Sequence, residues 1–150
     1  MNPTLPLTQN ERMQLRKANV RINEIHTLTT SEIAQILHVS IERAKVYKGL
    51  TDFQSVPSIG FQLADKLVAI LKIHSLNEIK NQNSSDLFNE LEQCLGVWTD
   101  SCVEDQIRCV IHYANHPNSN KKWFNFTEER KKHRAIIGYP KNRPKKAWYE

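Results

Sequence analysis

The sequence predicts an all-α fold, and three observations carry that prediction. A Ser or Thr stands three residues before a Glu at Thr8–Glu11, Thr29–Glu32, Ser75–Glu78 and Ser101–Glu104, the capping-box pattern of a helix start. Apolar residues recur at helical spacing, as in Leu87, Phe88, Leu91 and Leu95, and again in Val103, Ile107, Val110, Ile111 and Ala114. No stretch alternates apolar and polar residues at a period of two, so strands are absent or marginal.

The elements follow in order. Thr8 opens "RMQLRKA" and Thr29 opens "IAQIL". Ser40 caps "IERAKVYKGL", and "FQLADKLVAIL" is a further helix whose apolar face is Leu63, Ala64, Leu67, Val68 and Leu71. Ser75 precedes a short helix, and Ser84 or Ser85 caps "DLFNELEQCL". The helix after Ser101 ends at Pro117. A last helix runs from Thr127, with Glu128 and Glu129 at the positive end of its dipole, until Gly138 and Pro140 stop it. The organisation expected is an N-terminal helical arm over 1–28, a helical domain over 29–137 and a basic, largely irregular tail over 138–150.

A length of 150 residues, 39% hydrophobic and 25% charged, suits one soluble domain with an appended tail. No apolar run approaches the roughly 18 residues that span a bilayer, and the N-terminus has no apolar core of a secretion signal. The three cysteines, Cys94, Cys102 and Cys109, form no C-x-x-C pair, which fits a reducing compartment and a cytoplasmic protein. Charge is placed unevenly. Residues 121–150 hold ten Lys or Arg against three acids, while residues 1–120 hold eleven against thirteen. A basic segment behind a near-neutral body suits phosphate neutralisation, or a solvated tail.

A unit of apolar helix, turn and second helix occurs twice. Ile33, Ile36, Leu37 and Val39 precede Ser40 and its helix; Val56 precedes "PSIG" and then "FQLADKLVAIL". The repetition predicts a tandem helix-hairpin-helix, a SAM-like helical bundle, in which small Ala64 lets paired helices approach closely. The stretch "VPSIGFQLADKL" resembles the helix-hairpin-helix pattern of hydrophobic-Pro-Gly-hydrophobic-Gly followed by Ala-x-x-Leu. The resemblance implies that backbone amides near Ser58, Ile59, Gly60 and Phe61 hold a nucleic-acid phosphate, with little sequence reading. Gly60 is expected to provide a turn conformation and a close backbone approach that a Cβ would hinder. The first hairpin glycine of the pattern is Ser58 here, and Phe61 and Gln62 stand where a cation often follows the second; the nearest cation in that helix is Lys66. The first unit has no hairpin glycine and reads as a packing partner.

The segment "WTDSCVEDQIRCVIHYANHPNSNKKWFNFTEER", followed by "GYPKNRPKKAWY", resembles the bacterial pathogenicity locus family of helix-hairpin-helix proteins, over a span from about residue 20 to the end. That resemblance implies a small cytosolic protein with a DNA-binding domain.

Other constellations compete. "TTSEIAQILHVSIERAKVYKGL" also resembles a helix-turn-helix, with Arg43, Lys45 and Lys48 facing a major groove. Cys102, Cys109, His112 and His116 lie along one helix, too spread to bind one ion, so no metal is expected. In "KKWFNF", Trp123 and Phe124 are expected to plug the core while Lys121 and Lys122 stay wet. In "KNRPKKAWY", Lys141, Arg143, Lys145 and Lys146 suit an extended arm along a phosphate backbone. No catalytic pattern or cofactor motif is present, and Asp100, Glu104 and Asp105 read as caps and surface charges. The expectation is a non-enzymatic module that binds DNA nonspecifically and takes no cofactor, membrane or small-molecule substrate. The alternative is an adaptor that uses its hairpins for a protein partner or self-association.

Overall fold

In the computed structural model, which describes residues 2–150, the capping patterns become helix starts. Thr8 opens α1 (Gln9–Lys17): its hydroxyl accepts from the Glu11 amide at 3.1 Å, and the Glu11 carboxylate accepts from the Thr8 amide at 2.8 Å. Thr29 and Glu32 repeat that exchange at 3.1 and 3.0 Å to open α2 (Thr30–Leu37). Ser40 caps α3 (Ile41–Gln54), and Gly60 stands at the start of α4 (Phe61–Asp65). Then come α5 (Leu76–Ile79), α6 (Ser84–Leu95), α7 (Ser101–Asn115) and α8 (Thr127–Ile137). Among the described residues no strand forms, and Trp98 and Ala147 make one isolated parallel bridge.

Two starts and one ending differ from expectation. Asn83, not Ser84 or Ser85, caps α6, its side chain accepting from the Asp86 amide at 3.0 Å. Asp100, not Ser101, caps α7 through the Cys102 amide at 2.8 Å, which releases Glu104 from any capping duty. The helix expected through Leu71 instead widens after Asp65 into a π turn, Lys66–Ile70, and Lys72 then takes a left-handed φ of 58°.

The chain divides into two compact units. The N-terminal unit is the chain up to Ser55 together with Gly60–Ser75; the C-terminal unit is Val56–Ile59 together with Leu76–Glu150. In the first, α3 is the central helix, meeting α2, α4, the π turn and a 3₁₀ turn, Ile22–Thr27. Ala44, Tyr47, Leu50 and Phe53 line its buried side with Ile33, Leu37, Leu63, Ala64 and Leu67. Leu5, Leu15 and Ile25 are buried as well, so the residues before Thr29 belong to this unit's core. The close approach made by a small residue is at Gly49 of α3. A Cβ there would lie 2.8 Å from Val68 Cγ2 and 3.1 Å from the His74 Cα.

In the C-terminal unit α7 is the central helix, meeting α5, α6, α8 and the 3₁₀ turn Trp123–Phe126. Ile107, Cys109 and Val110 are buried with Leu87, Phe88, Leu91 and Phe126. Cys109 is part of this core. The expectation for "KKWFNF" is corrected: its aromatic plug is Phe126, while Phe124 is exposed.

Glu104 and Asp105 are fully buried, contrary to their reading as surface charges. Arg134 bonds Glu104 through Nε at 3.0 and 3.2 Å, and Arg130 and the Thr127 hydroxyl bond Asp105 at 2.8 Å each. Buried carboxylates persist only when paired and hydrogen-bonded in this way.

The tail beyond Gly138 is irregular in conformation but pinned along its length. Trp98 donates to the Lys146 carbonyl and accepts from the Trp148 amide, both at 2.9 Å, and Gln93 donates to the Asn142 carbonyl at 2.9 Å. Arg143 grips the buried Glu92 with two bonds, at 2.8 and 2.9 Å. The Tyr139 ring lies against both Arg134 and Arg143, 4.1 and 3.8 Å from the guanidinium carbons.

Candidate nucleic-acid interface

The turn that the sequence singles out has its left-handed residue at Ser58, with φ of 70°. That is the position at which the helix-hairpin-helix pattern carries its first glycine. Ser58 lies in the C-terminal unit, where its hydroxyl accepts from the Trp123 amide at 2.9 Å, and Ile59 is buried, its amide bonded to the Val56 carbonyl at 3.1 Å.

Gly60, in the N-terminal unit, differs from expectation. Its φ of −105° and ψ of −172° are extended backbone open to any residue, and a Cβ there would meet nothing within 4 Å. Its glycine identity is therefore not explained by turn geometry. No side chain caps α4, whereas α1, α2, α3, α6 and α7 each have a capping side chain. The first intrahelical bond runs from the Ala64 amide to the Gly60 carbonyl at 3.2 Å, so the amides of Phe61, Gln62 and Leu63 lie ahead of the ladder. Half-buried Lys66 ends α4.

The helix-turn-helix surface loses its cations to internal partners. Arg43 bonds Glu11 at 2.7 and 3.1 Å, and the Lys48 ammonium bonds the His26 carbonyl, leaving Lys45 exposed on α3.

Cations in the C-terminal unit are sorted by type. Arg108, Arg130, Arg134 and Arg143 all turn to carboxylates. Lys121, Lys122, Lys131, Lys132, Lys141, Lys145 and Lys146 are all exposed. Of the tail cations singled out from sequence, Lys141, Lys145 and Lys146 face solvent, while Arg143 is committed to Glu92. The sequence signal for that split was residue type: a planar fork suits paired carboxylates, and a hydrated ammonium does not. Phe124, Trp148 and Tyr149 are exposed in the same unit.

Burial raises the Cys109 thiol to about 11, partly countered by the Ser58 hydroxyl, so the thiol stays protonated. Among the described residues no three His, Cys, Asp or Glu side chains converge as a metal site, and no helix is long and apolar enough to cross a membrane.

These elements define a small all-helical protein. The family model described as "Pathogenicity locus" matches residues 47–132, more than half the chain, and the chain belongs to that family. The match runs from the middle of α3 into α8, a narrower span than the resemblance from about residue 20 to the end. Comparison with curated proteins and with solved structures returned no match.

Proposed function

We propose that this chain is a non-enzymatic module that binds DNA through phosphate contacts without reading base sequence. The sorting of cations carries the reading. Every arginine of the C-terminal unit has a carboxylate partner, and the seven lysines of residues 121–150 are exposed against only Glu128, Glu129 and Glu150 in that stretch. Exposed lysines neutralise phosphate and release counterions at little structural cost. The uncapped amides of α4 at Phe61 and Gln62 supply a second contact of the same chemistry, as the helix-hairpin-helix resemblance implies. The exposed Phe124, Trp148 and Tyr149 add faces on which unpaired bases stack.

The test is anisotropy of labelled single-stranded, duplex and branched DNA across a salt series. The variants are Gly60→Asp and a triple Lys141→Ser, Lys145→Ser, Lys146→Ser. Affinity should fall steeply with salt, and on duplex the slope should flatten by about 0.9 for each phosphate that a variant no longer neutralises. Salt-independent binding, or slopes unchanged in both variants, would overturn the reading. One observation favours an adaptor instead: Ile136 and Ile137, at the end of α8, are 83% and 67% exposed. Concentration-dependent mass by light scattering, with no DNA binding at low salt, would select that alternative.

A further inference from the structure

We propose that a cavity of about 290 Å³ in the C-terminal unit, walled by Arg108, His112 and His116 of α7 and by Ser84 of α6, binds a phosphate monoester. The inference goes beyond the DNA contacts, because no tail lysine lines the cavity.

The first observation is an unmet donor. The Arg108 side chain is nine-tenths buried, with 10% of its surface exposed. Its Nη2 donates to the Ser85 hydroxyl at 2.9 Å and lies 3.4 Å from Glu104, and its Nη1 lies 3.6 Å from Glu129. Its Nε–H is buried and has no hydrogen-bond partner among the described residues. Arg108 lines the cavity with one donor unmet and with Nη1 held only by its 3.6 Å contact to Glu129, so the guanidinium has bonding capacity left for an oxyanion.

The second observation is the charge around the cavity. Glu104 is already met by Arg134 and Arg108, so it adds no free negative charge. Glu129 is the carboxylate at the wall, 62% exposed and facing Arg108. Against it stand Arg108, the two imidazoles and Lys121, whose ammonium lies 5.7 Å from the Phe126 ring centre. The His112 and His116 rings are 4.6 Å apart, centre to centre. Burial, then His116 and Lys121, push the His112 proton affinity down, and Glu129 pushes it up. An anion bound alongside both rings would oppose that lowering by favouring the imidazolium forms.

Ligand class follows from size and lining. The volume sits at the lower edge of the ~300–1,000 Å³ typical of small-molecule sites, so a compact end group fits better than a strand passing through. Ile111 and Phe126 add an apolar wall for the carbon body of a monoester. The Asn115 amide is spent on the Lys80 and Ile111 carbonyls at 2.8 and 2.9 Å, so the donors are Arg108, the imidazoles and the Ser84 hydroxyl.

The experiment follows the His112 and His116 ring protons by NMR in the full chain, titrated with inorganic phosphate and with a nucleoside monophosphate. Saturable shifts are expected, with the titration midpoints of both imidazoles raised by bound phosphate. The groups facing His112 in that titration are Arg108 and His116 on α7, Lys121 and Phe126 before α8, and Glu129 on α8. His116→Ala, at an exposed position, should weaken phosphate binding at least fivefold with an unchanged melting curve. Arg108→Lys, which keeps the charge but loses the fork, should weaken it further. Shifts that never saturate, midpoints that do not move, or affinity unchanged in His116→Ala would overturn the site. A paired arm compares 5′-phosphorylated and 5′-hydroxyl oligodeoxynucleotides in the triple lysine variant, which removes three tail cations. Preference for the phosphorylated strand makes the ligand a strand end. Equal binding of the two strands with phosphate binding retained makes it a free monoester.

Discussion

Ser58 and Gly60 exchange the roles that their identities suggest. The left-handed conformation falls on the serine, which costs about 1 kcal/mol relative to glycine and is held by the hydroxyl's bond to the Trp123 amide. Ser58→Ala keeps the strain and loses the bond, so thermal unfolding should show a loss of about 1 kcal/mol. Gly60 is the reverse case. Its extended backbone suits an N-cap, its Cβ direction is open, and α4 has no capping side chain. Asp is among the best N-cap residues and Gly falls only slightly short of them, so Gly60→Asp should melt no lower than wild type, and higher by the equivalent of a few tenths of a kcal/mol. It should also bind DNA more weakly, because the new carboxylate occupies the phosphate position. A variant that binds as well as wild type removes the turn from the interface. Gly49 is where a side chain has no room: Gly49→Ala should destabilise by about 1–3 kcal/mol, read by denaturant unfolding, because the His74 backbone cannot yield as Val68 can.

At the scale of elements, helix starts were legible because capping is local: Thr8, Thr29 and Ser40 act within three residues of themselves. The start of α8 was legible from another local signal, the acids Glu128 and Glu129 in its first turn; no side chain caps it, and the Thr127 hydroxyl turns to Asp105. Partners made by tertiary distance were not. Glu104 looked like the end of a capping box, and only the arrival of Arg134 from α8 makes it a core residue. The same holds for Glu92, whose pairing with Arg143 bridges 51 positions. Arg143→Ala should leave that carboxylate buried without its cation and destabilise the C-terminal unit by about 3–5 kcal/mol, measurable by urea unfolding. Truncation at Gly138 would do the same, so a loss of DNA binding in such a protein would not isolate the tail lysines. In the N-terminal unit Glu11 joins α1 to α3. The Arg43 guanidinium does most to hold its carboxyl down at about 2 from 4.5, aided by the Thr8 amide and Tyr47 hydroxyl and opposed by burial. A folded value below the unfolded one means this stabilisation is complete above about pH 4.5 and is lost as pH falls towards about 2. Acid unfolding of Glu11→Gln should be flatter through that window and start from a lower neutral-pH stability.

Across the whole molecule, composition gave the charge asymmetry but not its meaning. The basic excess of residues 121–150 includes Arg130, Arg134 and Arg143, which neutralise Asp105, Glu104 and Glu92 of the preceding segment. Within residues 121–150 the charge open to a partner is therefore the lysines alone, of which Lys131 also faces Glu128 at 3.6 Å. Thiol exposure follows the same inside–outside division. With a disulfide reagent, Cys94 should react first and Cys102 more slowly, and Cys109 should react only on unfolding. A fast third thiol in the native protein would contradict the packing of α7. The pairing of early acids with late arginines also sets an order of assembly during synthesis. Asp105, Glu104 and Glu92 leave the ribosome 25, 30 and 51 residues ahead of the cations that neutralise them. The N-terminal unit is complete in sequence once Ser75 has been made. The C-terminal unit cannot close its charged core until Arg143 has emerged, so a nascent chain stalled before that residue presents a finished first unit and an unfinished second.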